Sequence, residues 1–170
     1  MQSVLIPVER VKILMDPSVK TEVEKQGNVK LTLGDVDEIL INSEDPIAEW
    51  KAMDIVKAIG RGFESAKALK LFNEEYVLKL ISLKELFSSE KQRIRYKSRI
   101  IGTKGKIKIT IEEISGASIS VYGNTVGILG KMEEVDLAVR AVSMILNGAS
   151  HGTVFIMLRK AKQKVKETDF

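Results

Sequence analysis

The 170-residue chain has no cysteine and one histidine, His151. Without cysteine there is no disulfide, no thiolate metal site and no cysteine nucleophile. With one imidazole, motifs that need two fail, H-E-x-x-H among them, and a Ser-His-Asp arrangement could run only through His151. Aromatics are scarce, at five Phe, three Tyr and one Trp, too few and too scattered for a platform on which bases stack. No apolar run approaches the roughly 20 residues of a membrane-spanning helix, and Met1-Gln2-Ser3-Val4 carries neither the basic nor the apolar part of a leader. These absences predict a soluble cytoplasmic protein with no cofactor and no metal. Residues 91–111 also lack any Asp or Glu, so the basic part of the chain has no carboxylate cluster for metal-dependent hydrolysis and no enzyme is expected.

What is present is unevenly distributed charge. The net +4 is modest, yet residues 1–85 hold 12 basic and 15 acidic residues whereas 86–170 hold 15 and 8. From Lys91 to Lys108 eight cations (Lys91, Arg93, Arg95, Lys97, Arg99, Lys104, Lys106, Lys108) are uninterrupted by an acid. Such a strip draws polyanions, although a basic run also serves as a solubilising face. A second cluster, Arg159 to Lys166, reads as the wet side of a helix.

Val4 to Val8 reads as a short strand, continuing toward Val11, with Pro7 at an edge. Asp16 or Ser18 caps a helix that Gly27 ends, Val29, Leu31 and Leu33 alternate as a strand, and Ile39-Leu40-Ile41 is its partner. From Pro46 a helix carries Ile47, Trp50, Val56 and Ile59, with Trp50 assigned to packing. The second half repeats the order: strand Tyr76–Ile81, helix Lys106–Ser115 with Ile107, Ile111 and Ile114 on one stripe, strands around Ile119 and Ile128, and a helix from Val135 to Leu146. Leu31 matches Ile119 at an offset of 88, and Ala52, Val56, Ile59 and Gly62 match Ala138, Val142, Ile145 and Gly148 at 86, which points to a duplicated unit. Ala66, Leu69 and Phe72 are expected inward on a short linker helix, and Val154, Leu158, Ala161 and Val165 on one side of a terminal helix. The adjacent pairs Glu112/Glu113 and Glu133/Glu134 are read as solvated, and His151 as a structural residue rather than an RNA contact.

Gly102-Thr103-Lys104-Gly105 is uninformative as a bare pattern, expected roughly 0.8 times by chance from the glycine content. A second instance, Gly127-Ile128-Leu129-Gly130, has apolar middle residues and reads as strand packing. The first follows Ile100-Ile101, contains a cation and opens directly into a helix. Glycines let a nucleic-acid backbone approach and permit positive φ, the amides at the helix start attract phosphate, and Thr103, Lys104 and Lys106 add a hydroxyl and two charges.

Ile100-Ile101-Gly102-Thr103-Lys104-Gly105, followed by Ile111 and by Gly116-Ala117-Ser118-Ile119-Ser120-Val121, resembles the KH domain, a βααββα module for RNA or single-stranded DNA. The resemblance implies a loop that clamps the backbone of about four nucleotides. It also implies an apolar groove of Ile100, Ile101, Ile107 or Ile111, and Ile119, with Ser118 and Ser120 at base edges, Arg99 and Lys108 beside them, and Arg93, Arg95 and Lys97 as secondary backbone contacts. Lys108 stands where a KH helix usually carries an aliphatic residue. The amino-terminal copy resembles a KH domain without its clamp, because Met15-Asp16-Pro17-Ser18 occupies the loop, where Asp16 repels phosphate and Pro17 lacks an N–H.

Ala58 to Phe63, Asn73 to Tyr76, Arg99 to Gly102, Ser120 to Val126 and Gly148 to Gly152 together resemble the archaeal tandem-KH relatives of the small-subunit assembly factors named Krr and Partner of Nob. The resemblance implies an α+β fold of two tandem type I KH domains plus a carboxy-terminal helix. Its expected parts are a degenerate KH domain over 1–62, a linker over 63–75, the clamp-bearing KH domain over 76–150 and a basic helix over 151–170. It further implies a non-enzymatic monomer that binds single-stranded RNA near the 3′ end of small-subunit (16S) ribosomal RNA or its precursor. Implied partners are the alpha subunit of translation initiation factor two and the small-subunit maturation nuclease. The competing reading is a protein-interaction scaffold with only auxiliary, non-specific RNA contact.

Overall fold

The computed structural model describes residues 1–168 and divides into two units, Met1–Leu78 and a second beginning at Lys79. The first contains β1 (Gln2–Leu5), α1 (Val8–Leu14), α2 (Pro17–Gly27), β2 (Lys30–Leu33), β3 (Glu38–Asn42), α3 (Pro46–Gly60) and α4 (Ser65–Ala68). Its antiparallel sheet has the order β1-β3-β2. The expected strand through Val8 ends at Leu5, because Pro7 has no N–H for a ladder and instead occupies the N-cap of α1, which buries Val11 and Leu14 three residues apart. Asp16, rather than Ser18, caps α2: its carboxylate accepts from the Ser18 amide at 3.1 Å. Asn28 (φ 51°), not Gly27, turns the chain out of α2.

Helix α3 is rotated from the predicted stripe. It buries Ala52, Ile55, Val56 and Ile59, leaving Ile47 66% and Trp50 69% exposed. Glu49 sets this phase by turning inward to accept from the Ser43 amide at 2.9 Å. Burial holds the apolar side at about 1.5–3 kcal/mol per large side chain. Residues 63–75 are not a free linker. Phe63, Ala68 and Leu71 are buried and Ala66 is exposed, while the Phe72 ring fills the space that a Cβ on Gly27 would enter, 2.6 Å from it.

The second unit takes in β4 (Tyr76–Ser82) from Lys79 onward, α5 (Leu83–Leu86), α6 (Glu90–Ile101), α7 (Lys106–Ser115), β5 (Ser118–Tyr122), β6 (Thr125–Lys131), α8 (Met132–Leu146) and α9 (His151–Thr168), with sheet order β4-β6-β5. Ile119 pairs with Ile128 and Val121 with Val126 on the inner face. Helix α9 is part of this body: Val154 and Leu158 are fully buried among α7 and α8, whereas Ala161 is half-buried and Val165 51% exposed. The last two residues of the expected basic helix lie outside the described residues.

The two units repeat their internal bonds as well as their element order. In the first, Lys20 pairs with Glu24, which accepts from the Leu31 amide at 2.8 Å; in the second, Lys108 pairs with Glu112, which accepts from the Ile119 amide at 3.0 Å. Arg10 donates to the carbonyls of Ile59 and Phe63, and Arg99 to those of Ile145 and Ala149. Each arginine thereby ties the last turn of the long helix to the chain that leaves it, on carbonyls of which Ile59 and Ile145 also accept from the Gly62 and Gly148 amides. Glu112 and Glu134 are thus structural acceptors rather than solvated charges, Glu134 taking the Lys131 amide at 2.8 Å.

Candidate nucleic-acid interface

The loop is built by a helix that cannot continue. At Gly102 the backbone takes φ 74°, ψ 173°, where a Cβ would strike Ile107, so α6 must end there. Lys104 (φ 56°) and Gly105 (φ 73°) are left-handed, and the Gly105 amide closes back on the Gly102 carbonyl at 3.1 Å. Thr103 and Lys104 are thereby pushed into solvent. Helix α7 begins at once with no side-chain cap; the Lys106 amide turns back to the Thr103 carbonyl, and the positive end of the helix is left to an anion. Gly105 has open space: the nearest atom to a Cβ would be Ile109 Cδ1, 3.9 Å away.

The other predicted residues fall into two groups. Ile101, Ile107, Ser118 and Ser120 are half-buried and keep accessible surface, and Lys106 is exposed. Ile100 and Ile111 are 0% and Ile119 4% exposed; they form the core beneath the groove rather than its lining, since a side chain without surface cannot touch a ligand. Arg99 is likewise occupied with Ile145 and Ala149, and its carbonyl accepts from His151 Nε2 at 2.9 Å. This joins the ends of α6 and α8 to the start of α9, and gives His151 the structural role expected. Lys108 is bound to Glu112 at 3.1 Å.

Within the basic strip, Arg93 donates to the Phe87 and Ser88 carbonyls and Lys97 to that of Gly123. Arg93 holds the chain leading into α6, and Lys97 ties α6 to the β5–β6 turn. Arg95 lies 5.8 Å over the Tyr96 ring and remains exposed, as does Lys91. Sequence reasoning misses Ile94, 54% exposed, seven residues before Ile101 and therefore on the same face of α6. An isolated isoleucine inside a run of cations is the signal that could have found it. The candidate interface therefore comprises the Gly102–Gly105 turn, the start of α7, and an apolar margin including Ile94, Ile101 and Ile107. In the first unit the corresponding turn is closed by the Ser18 hydroxyl, which donates to Asp16 at 2.6 Å and, with the Ser18 amide, holds that carboxyl below its usual range. A permanent anion stands there.

Residues 77–163 match the family of eukaryotic type KH-domain (KH-domain type I) that forms the second such domain of Pno1. The chain is 44% identical to a KH domain-containing protein of Methanocaldococcus jannaschii, over 97% of this chain and 75% of that protein. It is 30% identical to the pre-rRNA-processing protein pno1 of Schizosaccharomyces pombe over 74% of this chain, spanning about half (53%) of that longer protein. Among solved structures, a complex of a/eIF2alpha, aDim2p and rRNA from Pyrococcus horikoshii contains a chain with TM-score 0.86 and 39% identity, covering 96% of this chain and 94% of that one. A protein of unknown function from Aeropyrum pernix gives TM-score 0.91 at 30% identity, over 99% and 93% of the two chains. The family match over residues 77–163 and the relative aligned over 97% of this chain together show that the chain belongs to the Pno1-type family of KH-domain RNA-binding proteins.

Proposed function

We propose that the second unit binds single-stranded RNA near the 3′ end of small-subunit ribosomal RNA or its precursor, and that the protein acts without catalysis in small-subunit biogenesis. The observation that carries this is the Gly102–Gly105 turn, whose three positive-φ residues open the backbone at the uncapped start of α7. Phosphates approach at Gly105 and the positive end of α7 with Thr103, Lys104 and Lys106 around them, and bases extend toward Ile94, Ile101, Ile107, Ser118 and Ser120. Arg95 and Lys91 add long-range attraction. Support for the ribosomal role comes from the S. pombe relative, named for pre-rRNA processing, and from the P. horikoshii complex, which holds rRNA and a/eIF2alpha. By the same likeness, the alpha subunit of initiation factor two is a partner of this chain, the small-subunit maturation nuclease is a second, and the setting is the cytoplasmic pre-ribosomal particle.

The test is a salt titration of binding to labelled RNA from the 3′ end of small-subunit rRNA, against a scrambled strand and a duplex. Wild type is compared with the double variant Thr103→Asp, Lys104→Asp. The reading requires preference for the single strand, near-complete loss of affinity in the variant at unchanged melting temperature, and a salt slope shallower by about 0.7 for each phosphate no longer neutralised. Equal binding to all three RNAs, untouched by the substitutions, would remove the clamp assignment and favour a scaffold.

A further inference from the structure

A groove of about 400 Å³ runs between α8 and α9, on helices that do not carry the Gly102–Gly105 turn. Its floor is Met144, Ile156, Met157 and Ala161, and Arg140 and Lys160 stand at its edges. Ile156 is 55% exposed, while Val154 and Leu158 of the same helix are fully buried. The groove residues of α9 therefore form an outward stripe on that helix, additional to the side that holds it to its unit. From Thr153 to Lys164 the stripe recurs at the three- and four-residue spacing of a helix face and extends about 16 Å, the length of roughly three helical turns.

We infer that this groove docks an acidic amphipathic helix of a partner protein. The floor needs an apolar ligand, since an exposed isoleucine and two methionines gain only from surface that excludes water. Methionine is adaptable and suits side chains of several shapes. The flanking cations specify the charge of the partner: its apolar stripe is bordered by Asp or Glu facing Arg140 and Lys160, both exposed. RNA would satisfy the cations but leave the aliphatic floor uncovered, and among the described residues no aromatic side chain lines the groove on which a base could stack. The mode is that of an amphipathic helix laid in a groove, read by anchors at i, i+4 and i+7.

Two displayed pools of peptides of about 15 residues test this on the full chain. Both carry Leu, Ile, Met or Phe at the anchor positions; one has Glu and Asp around them, the other Lys. The acidic pool is expected to enrich, and its winners to lose about tenfold in affinity on either Ile156→Glu or Arg140→Glu. Both residues are exposed, so an unchanged melting temperature accompanies the loss. Binding of the rRNA strand remains at the wild-type level in both variants. No enrichment, equal enrichment of the lysine pool, or winners indifferent to both substitutions overturns the inference. Weaker RNA binding by Ile156→Glu would assign the groove to RNA instead, and would leave the Gly102–Gly105 assignment to its own test.

Discussion

The two glycines of the turn are predicted to fail in different ways when each is replaced by alanine. At Gly102 the backbone (φ 74°, ψ 173°) lies in a region that only glycine occupies readily, and the added methyl meets the Ile107 side chain and amide. The backbone strain is about 1–3 kcal/mol and the forced repacking about 1–3 kcal/mol more, together about 2–6 kcal/mol. At Gly105 (φ 73°, ψ 11°) the methyl meets nothing closer than 3.9 Å, so only the left-handed penalty of about 1–2 kcal/mol applies. For a chain of this size each kcal/mol moves the melting temperature by roughly 2–4 °C. Gly102→Ala should therefore lower it by on the order of 10 °C and Gly105→Ala by only a few degrees. RNA affinity, measured by fluorescence anisotropy well below both transitions, should fall about tenfold or more in Gly105→Ala, because the methyl stands where the phosphate backbone approaches. Wild-type affinity in Gly105→Ala, or equal thermal losses in the two variants, would refute the argument that one glycine serves the fold and the other the ligand.

Arg99→Ala should cost about 1.5–3 kcal/mol in thermal or urea unfolding, the usual value of hydrogen bonds from a charged donor, while leaving RNA affinity of the folded protein within about twofold. Arg10→Ala should destabilise the first unit in parallel, and a large RNA defect confined to Arg99→Ala would return that residue to the interface. Asp16→Asn keeps a capping side chain but removes the charge. Because the folded carboxyl titrates below its unfolded value, its stabilisation is present above about pH 4 and disappears as pH falls through the folded value. The gap in melting temperature between wild type and Asp16→Asn should therefore narrow on acidification; a gap independent of pH would show that the carboxylate charge contributes nothing.

What the sequence discloses is mostly local. Alternation at Val29, Leu31 and Leu33 marks β2, and Gly102-Thr103-Lys104-Gly105 marks the positive-φ turn between two helices because its parts are neighbours in the chain. The commitments of the cations are not visible there, since Arg99 reaches carbonyls 46 and 50 residues away and Lys97 one 26 away. Before folding, a bound cation and a free one look alike. Isoleucines pose the converse difficulty: a stripe of Ile107, Ile111 and Ile114 reveals an inward face but not its depth, so the pattern offers Ile111 to the groove when it belongs to the core. Helix α3 has two apolar phases, and the amide taken by Glu49 selects the one that leaves Trp50 outside. The short α1 passes for strand because seven residues give little period to read.

The paired arginine and glutamate bonds bear on how such a protein can change. In both halves they run from helix to helix end and from helix to strand, and none of them passes through the turn between α1 and α2 or the one between α6 and α7. Ligand binding can then be erased or written in one half as a cassette while the body that displays it stays intact. The turn at Asp16 occupies the same place in the first unit, and a Gly-Thr-Lys-Gly insert grafted there would meet the same framework of bonds.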